Sequence, residues 1–181
     1  MTQLVNRDEL ERRLARVIGR EQRAALNELL KLLGNPPLLE NVPPEYWETG
    51  FKQLASAVEP ELVNIYIEQA QAFLSEIPIG VSWDAINTSA SEYARTYGYD
   101  LVREIAQNTQ NGVTEILKLL QQEMPNFYEE GLSLGELEAR LSRWFGPVRA
   151  EMIAVTETTR AATEAERAVV EQIYRESGVR M

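Results

Sequence analysis

The sequence predicts an all-α protein, an elongated multi-helix bundle with a long first helix, a long last helix and no sheet. Apolar residues recur every three or four positions along almost the whole chain of 181 residues, which is the spacing of one face of an α-helix. Proline and glycine interrupt this spacing at few places, so the predicted helices are long. No segment shows the alternation of apolar and polar residues that is typical of a strand.

The first helix is predicted from Asn6, which has capping-box spacing with Glu9, to Gly34. Its middle is polar on all sides, so it either projects as an arm or folds back on the core. We therefore divide the chain into a helical arm, 1–40, and a helical bundle, 41–181. The arm carries arginines that would pair with carboxylates such as Glu9, Glu11 and Glu21 or with an acidic partner surface or, less readily, would contact DNA. These arginines are Arg12, Arg13, Arg16, Arg20 and Arg23.

Two aromatic-rich helices and one very long helix are predicted next. A helix begins at Pro43–Pro44, and Pro60 is expected to begin another, because proline is tolerated in a first turn. Ser82 is a suitable N-cap for the longest helix of the chain. The turn signal Asn111-Gly112 predicts a break or kink within it.

The C-terminal part is predicted as a loop followed by a short and a long helix. The loop covers residues 125–131, and the short helix starts at Ser133, which has capping-box spacing with Glu136. The long helix runs from about Pro147 to Ser177. Seven of its residues are available for packing: Val148, Met152, Val155, Thr159, Ala162, Val169 and Ile173.

One face of the last helix mixes charged side chains with a single isoleucine. Helical spacing aligns Arg149, Ile153, Thr156, Glu157, Arg160 and Glu164. The pairs Glu157–Arg160 and Arg160–Glu164 would each contribute about 0.2–0.5 kcal/mol if exposed. The stripe is therefore either an ordinary ion-paired surface or a contact face. In a contact face its charges must be paired, because an unpaired buried charge costs several kcal/mol.

The composition excludes several classes of active site. The chain has no Cys and no His, so disulfides, thiolate nucleophiles and imidazole metal ligands are excluded. The glutamates are spread at helical spacing, which is typical of solvated faces. We predict no enzyme, no catalytic residue, no metal site and no cofactor. The composition leaves open only chemistry that uses carboxylates, such as a Mg²⁺ or Ca²⁺ site or a glycosidase-type acid pair.

The charge distribution disfavours a general nucleic-acid binder. The net charge is −10, whereas phosphate binding depends on Lys and Arg. The acidity is concentrated in residues 41–127, which carry twelve acidic and four basic side chains, while residues 1–40 carry six and seven. The sequence contains neither a membrane span nor a signal peptide, so we expect a soluble intracellular protein without membrane association.

The segment 131–161 resembles the minor head proteins of tailed bacteriophages, the head-morphogenesis family that includes the Mu F protein. The family pattern is a helix start G-x-S-x-x-E-L, a Phe some eight residues later, and then R-A-x-x-I-A-x-T-E-x-x-R-A. A looser resemblance extends upstream through residues 93–120. In this chain the pattern falls on Gly131, Ser133, Glu136, Leu137, Phe145, Arg149, Ala150, Ile153, Ala154, Thr156, Glu157, Arg160 and Ala161.

The resemblance implies a structural protein that binds portal or other capsid proteins during head assembly and DNA packaging. It implies a location in the virion or host cytoplasm, leaves self-association open, and assigns no catalytic role to the pattern residues. Family members usually continue into a strand-containing, metal-binding-like region, so we expect a fragment or a short version. The alternative is a helical carrier domain that precedes a toxin or hydrolase domain absent from this chain.

Overall fold

The computed structural model describes residues 6–77, 80–124 and 127–177, and in these ranges it confirms an all-α fold without a strand. The first and last of the main helices are long, as predicted. A single 3₁₀ turn, Leu39–Asn41, lies between the first two helices. The α-helices are α1 (Arg7–Leu33), α2 (Pro44–Ser75), α3 (Trp83–Glu123), α4 (Phe127–Glu130), α5 (Leu134–Phe145) and α6 (Pro147–Ser177).

Helix α1 packs against α2, α5 and α6. Leu14 and Ile18 belong to one buried cluster, and Leu29 and Leu33 belong to a second. The helix has therefore folded back on the core and does not project, so the described residues up to 40 are part of the bundle. The predicted capping box at its start is wrong, because Asn6 adopts a left-handed conformation and its side chain makes no capping hydrogen bond.

The predicted helix start at Pro60 is wrong, because α2 continues through this residue. Proline cannot donate to the carbonyl of Ser56, but both residues are exposed, so water can bond that carbonyl. The opposite face of α2 is buried on both sides of the proline. Its members are Leu54, Val58, Leu62 and Ile65. Their burial holds the helix continuous where local propensity predicts an interruption.

The predicted break at Asn111-Gly112 is also wrong, because α3 is helical through both residues. Gly112 is buried, and a Cβ atom there would overlap the indole ring of Trp144 in α5. The glycine therefore permits a close approach of two helices and does not form a turn.

The boundaries of the C-terminal helices follow their local signals. Ser133 Oγ accepts from Glu136 N at 3.3 Å, and Glu136 Oε2 accepts from Ser133 N at 3.1 Å, which confirms the capping box. Ser82 caps α3 through a single hydrogen bond, in which its Oγ accepts from Ala85 N at 3.4 Å. Within the predicted loop 125–131, residues 127–130 form a helical turn, and residues 125–126 lie outside the described ranges. None of the helices in these ranges is long and apolar enough to cross a membrane.

Candidate protein-interaction groove

Helices α1 and α6 lie side by side and antiparallel, with a groove between them. Arg7 Nη2 donates to Thr159 Oγ1 at 3.0 Å, and further along α1 the backbone of Gly19 lies against Ala150. The groove has a volume of about 1020 Å³, and small residues of α1, Ala15 and Gly19, help to line it. Because small side chains leave space above them, the groove stays open along this part of α1.

Four of the five arginines predicted to bind a partner line this groove. They are Arg12, Arg16, Arg20 and Arg23. Arg12 and Arg16 donate from Nε to the main-chain oxygens of residues 8 and 12, at 2.9 and 3.2 Å. Arg20 pairs with Glu21 at 2.9 Å. No ion pair between described residues includes Arg12, Arg16 or Arg23.

The fifth arginine, Arg13, has a structural role on another side of α1. Its Nε donates to Glu61 of α2 at 2.7 Å, and its Nη1 lies 3.8 Å from Glu68. The hydrogen bond to Glu61 raises the pKa of Arg13 above its ordinary value, and burial opposes this effect. Arg13 therefore ties α1 to α2, and the prediction that it contacts a partner is not supported by its position.

An exposed apolar row of α6 lies beside the groove. Val148 and Met152 are each 68% exposed and Val155 is 44% exposed, and Val155 also lines the groove. The prediction that these three residues pack in the core is wrong. The core face of α6 is formed by alanines, Ala150, Ala154, Ala161 and Ala165, whose small size lets neighbouring helices approach closely. A row of exposed apolar residues beside a groove is typical of a contact surface.

Acidic residues from the first turns of α1 line one end of the groove. They are Asp8, Glu9 and Glu11, whereas Glu151 of α6 lines the groove farther along, next in the chain to Ala150, which lies against Gly19. Glu11 already pairs with Arg7 at 2.6 Å. Along α1 the charge therefore changes from acidic near residue 8 to basic between residues 12 and 23.

The first residues of the family-like pattern build the connection into α5. Gly131 is buried with φ of +65°, and a Cβ atom there would overlap the side chain of Asn35. Asn35 Oδ1 in turn accepts from Leu132 N at 3.0 Å. Ser133 and Glu136 form the capping box, and Phe145 is buried at the end of the helix. These residues position α5 and are not gathered into a reactive site.

Arg149 holds the start of α6 against α3. Its Nη1 donates to Thr109 Oγ1 at 2.8 Å and to the main-chain oxygen of Trp144 at 2.7 Å, and its Nη2 donates to the main-chain oxygen of Ile105 at 3.4 Å. The guanidinium carbon also lies 5.1 Å from the centre of the Trp144 ring. Burial lowers the pKa of Arg149. A partly buried cation surrounded by neutral acceptors is a structural link between three helices.

The remaining pattern residues lie farther along α6. Glu157 is buried, and its Oε1 is 3.5 Å from Nη1 of Arg160, which is half exposed and lies over the ring of Tyr97 in α3. Glu157 Oε2 has no hydrogen-bond partner among the described residues. Burial, with a contribution from the charge of Glu104, raises the pKa of Glu157 to about 7. The stripe is therefore a contact face towards α3 only at Arg149 and Glu157, since Arg160 is half exposed and its ion pair with Glu157 lies within one helix.

Ile153 and Thr156 complete the predicted set. Ile153 is partly buried against the first core cluster. Thr156 is exposed, and its hydroxyl donates to the main-chain oxygen of Met152 at 3.0 Å. In residues 6–77, 80–124 and 127–177, no group of three or more acidic side chains is arranged to hold a metal ion.

Comparison of the chain with protein-family models, with curated proteins and with solved structures finds no match in any of the three. The molecule is thus described by its fold and its groove: an all-α bundle with an open, arginine-bearing surface groove between its first and last long helices.

Proposed function

We propose that the protein is a structural assembly protein of the phage minor head type, which binds portal or other capsid proteins during head assembly and DNA packaging. The α1–α6 groove supports this proposal most directly. It combines three arginines that form no ion pair among the described residues, Arg12, Arg16 and Arg23, with an exposed apolar row beside it. Arginine and aromatic side chains and Met are enriched in protein interfaces. On this proposal the protein acts in the virion or the host cytoplasm.

The positions of the pattern residues support a structural role for the resembled segment. Gly131, Ser133, Glu136 and Arg149 fix the turn into α5 and the start of α6. The start of α6 carries Pro147, Glu151 and Val155 into the groove. The pattern would therefore act by placing a binding surface, and it needs no reactive group.

A protein partner fits the groove better than DNA does. The net charge of the chain is −10, and the acidic side chains at one end of the groove would repel a phosphate backbone. A protein surface can present carboxylates to the arginines and other groups to the acidic end. Contact with DNA remains the weaker alternative on these charges.

The proposal is tested by copurification. The full chain, with an affinity tag, is coexpressed with the portal and major capsid proteins encoded beside its gene. We expect the portal protein or procapsids to copurify with the tagged chain and to be absent from a tag-only control. Neighbouring genes without a portal or large terminase, or a chain that purifies alone in their presence, would contradict the proposed function.

A further inference from the structure

We infer that the partner of the α1–α6 groove is an amphipathic helix that places carboxylates against Arg16, Arg20 and Arg23 and apolar side chains against Val148, Met152 and Val155. The inference deepens the proposed function and rests on it for one point, namely that the partner is an assembly protein. The chemistry of the bound segment is argued from the groove alone.

The two rows have the same spacing. Arg16, Arg20 and Arg23 are separated by four and then three residues, and so are Val148, Met152 and Val155. Each row therefore follows one side of its helix over about 10 Å, at a rise of about 1.5 Å per residue. Because α1 and α6 are adjacent and antiparallel, a third helix lying over the groove would meet the arginines along one edge and the apolar row along the other.

The charge of the basic row favours carboxylates as its partners. Arg16 and Arg23 take part in no ion pair between described residues, and Arg20 is 70% exposed beside Glu21. A guanidinium group binds a carboxylate through two parallel hydrogen bonds. Acidic residues at spacing i, i+4 and i+7 of a helix would therefore meet the three arginines in order.

The acidic end of the groove distinguishes a helix from a polyanion. Asp8 and Glu9 line the same groove as the arginines, so a nucleic acid lying along it would place phosphates next to carboxylates. A helix avoids this repulsion because its acidic residues can be confined to one end. The same separation of charge fixes the direction in which the helix lies, with its neutral or basic end near the start of α1.

Fluorescence anisotropy with a labelled peptide tests the inference. The probe is a helical peptide of about 16 residues, with three Glu at i, i+4 and i+7 and Leu along the neighbouring edge. A second peptide has Lys in place of the three Glu, and a DNA duplex is the third probe. We expect the full chain to bind the acidic peptide, to bind it less tightly as salt increases, and to bind the other two probes at least about tenfold more weakly.

Matched charge reversals assign the binding to the groove. The variant R16E/R23E changes two exposed groove arginines, and R95E/R175E makes the same charge change at exposed positions of α3 and α6 outside the groove lining. We expect the first variant to bind the acidic peptide at least about tenfold more weakly and the second to bind it as the wild type does. Circular dichroism checks that both variants fold. If R16E/R23E does not fold, the variant R16Q/R23Q takes its place.

Several outcomes would overturn the inference. The acidic peptide could fail to bind, the two double variants could weaken its binding equally, or DNA could bind more tightly than the peptide. A concentration-dependent dimer that R16E/R23E dissociates would also overturn the inference, because a second copy of the chain would then occupy the groove. Copurification separates this failure from failure of the proposed function. A portal complex that R16E/R23E leaves intact refutes the groove alone, whereas peptide binding without any portal complex refutes the assembly function alone.

Discussion

The polar groups around α6 are used differently on the side that faces α3 and at the groove beside α1. Towards α3, Arg149 is partly buried and donates hydrogen bonds to three acceptors, and Glu157 is buried. At the groove, Arg16 and Arg23 of α1 have no ion pair among the described residues, and Met152 of the neighbouring apolar row of α6 is 68% exposed. One side uses its polar groups to hold the fold together, and the other leaves them available to a partner.

Two glycines inside helices show the same difference. Gly112 of α3 lies so close to Trp144 that no side chain fits between them. Gly19 of α1 lies in the groove, and a Cβ atom there would meet Ala150 Cβ at 3.7 Å, an ordinary van der Waals contact. The same substitution, glycine to alanine, should therefore have opposite effects in the two regions.

The largest expected effect is that of Gly112→Ala. The new methyl group would overlap the Trp144 indole, and overpacking of this severity should lower the free energy of unfolding by about 3 kcal/mol. Urea denaturation measures the change. Gly50→Ala in α2, where nothing lies within 4 Å of the new Cβ, is the matched control and should increase the free energy of unfolding by about 0.5–1 kcal/mol.

A second substitution checks the cause of that loss. Trp144→Leu should restore part of the stability of Gly112→Ala, because the smaller side chain makes room for the methyl group. If Gly112→Ala were as stable as the wild type, the contact between α3 and α5 would be no tighter than the contact at Gly19 in the groove. The two glycines would then not differ in the way described.

The next largest effect concerns Glu157 and depends on pH. Its pKa is raised from the ordinary value of 4.5 to about 7, so the folded protein binds more protons than the unfolded chain between these two values. Stability should therefore decrease as pH rises through this window, and the decrease should be about 2–3 kcal/mol at pH 8. Glu157→Gln, which cannot ionise, should be more stable than the wild type by about this amount at pH 8 and by little at pH 5.

Denaturation with urea at the two pH values measures the effect of Glu157→Gln. Glu164→Gln is the control, because Glu164 is on the same helix, is more exposed, and pairs with Arg167 at 2.8 Å. An equal change at both pH values would show that Glu157 is ionised throughout, and the α3 side would then tolerate a charge as readily as the groove does.

Most of the local signals predict the helix ends correctly, although the capping box at Asn6 does not form. The caps at Ser82 and Ser133 and the bounds of α6 depend on residues next to one another in the chain. The local signals fail at Pro60 and Gly112, where contacts with distant residues decide the outcome. A proline on an exposed face and a glycine under an indole ring give the same local signals as a helix boundary.

The groove was predictable only in part. The arginine row is visible in the sequence, but Arg12 and Arg13 are neighbours in the chain and about 100° apart around the helix. One therefore lines the groove, and the other meets Glu61 of α2. The exposure of Met152 could not be predicted from its own pattern, because apolar spacing on a helix indicates the core by default. The alanines at 150, 154 and 161 were the signal for the true core face.

The smallest expected effect is that of Gly19→Ala, and it has the opposite sign. The methyl group fits against Ala150, and alanine is favoured over glycine within a helix, so the free energy of unfolding should increase by about 0.5–1 kcal/mol. Urea denaturation measures this beside Gly112→Ala. Because the methyl group occupies little of a groove of about 1020 Å³, binding of the acidic peptide should be retained. A loss of stability would mean that α1 and α6 approach each other at Gly19 as closely as α3 and α5 do at Gly112.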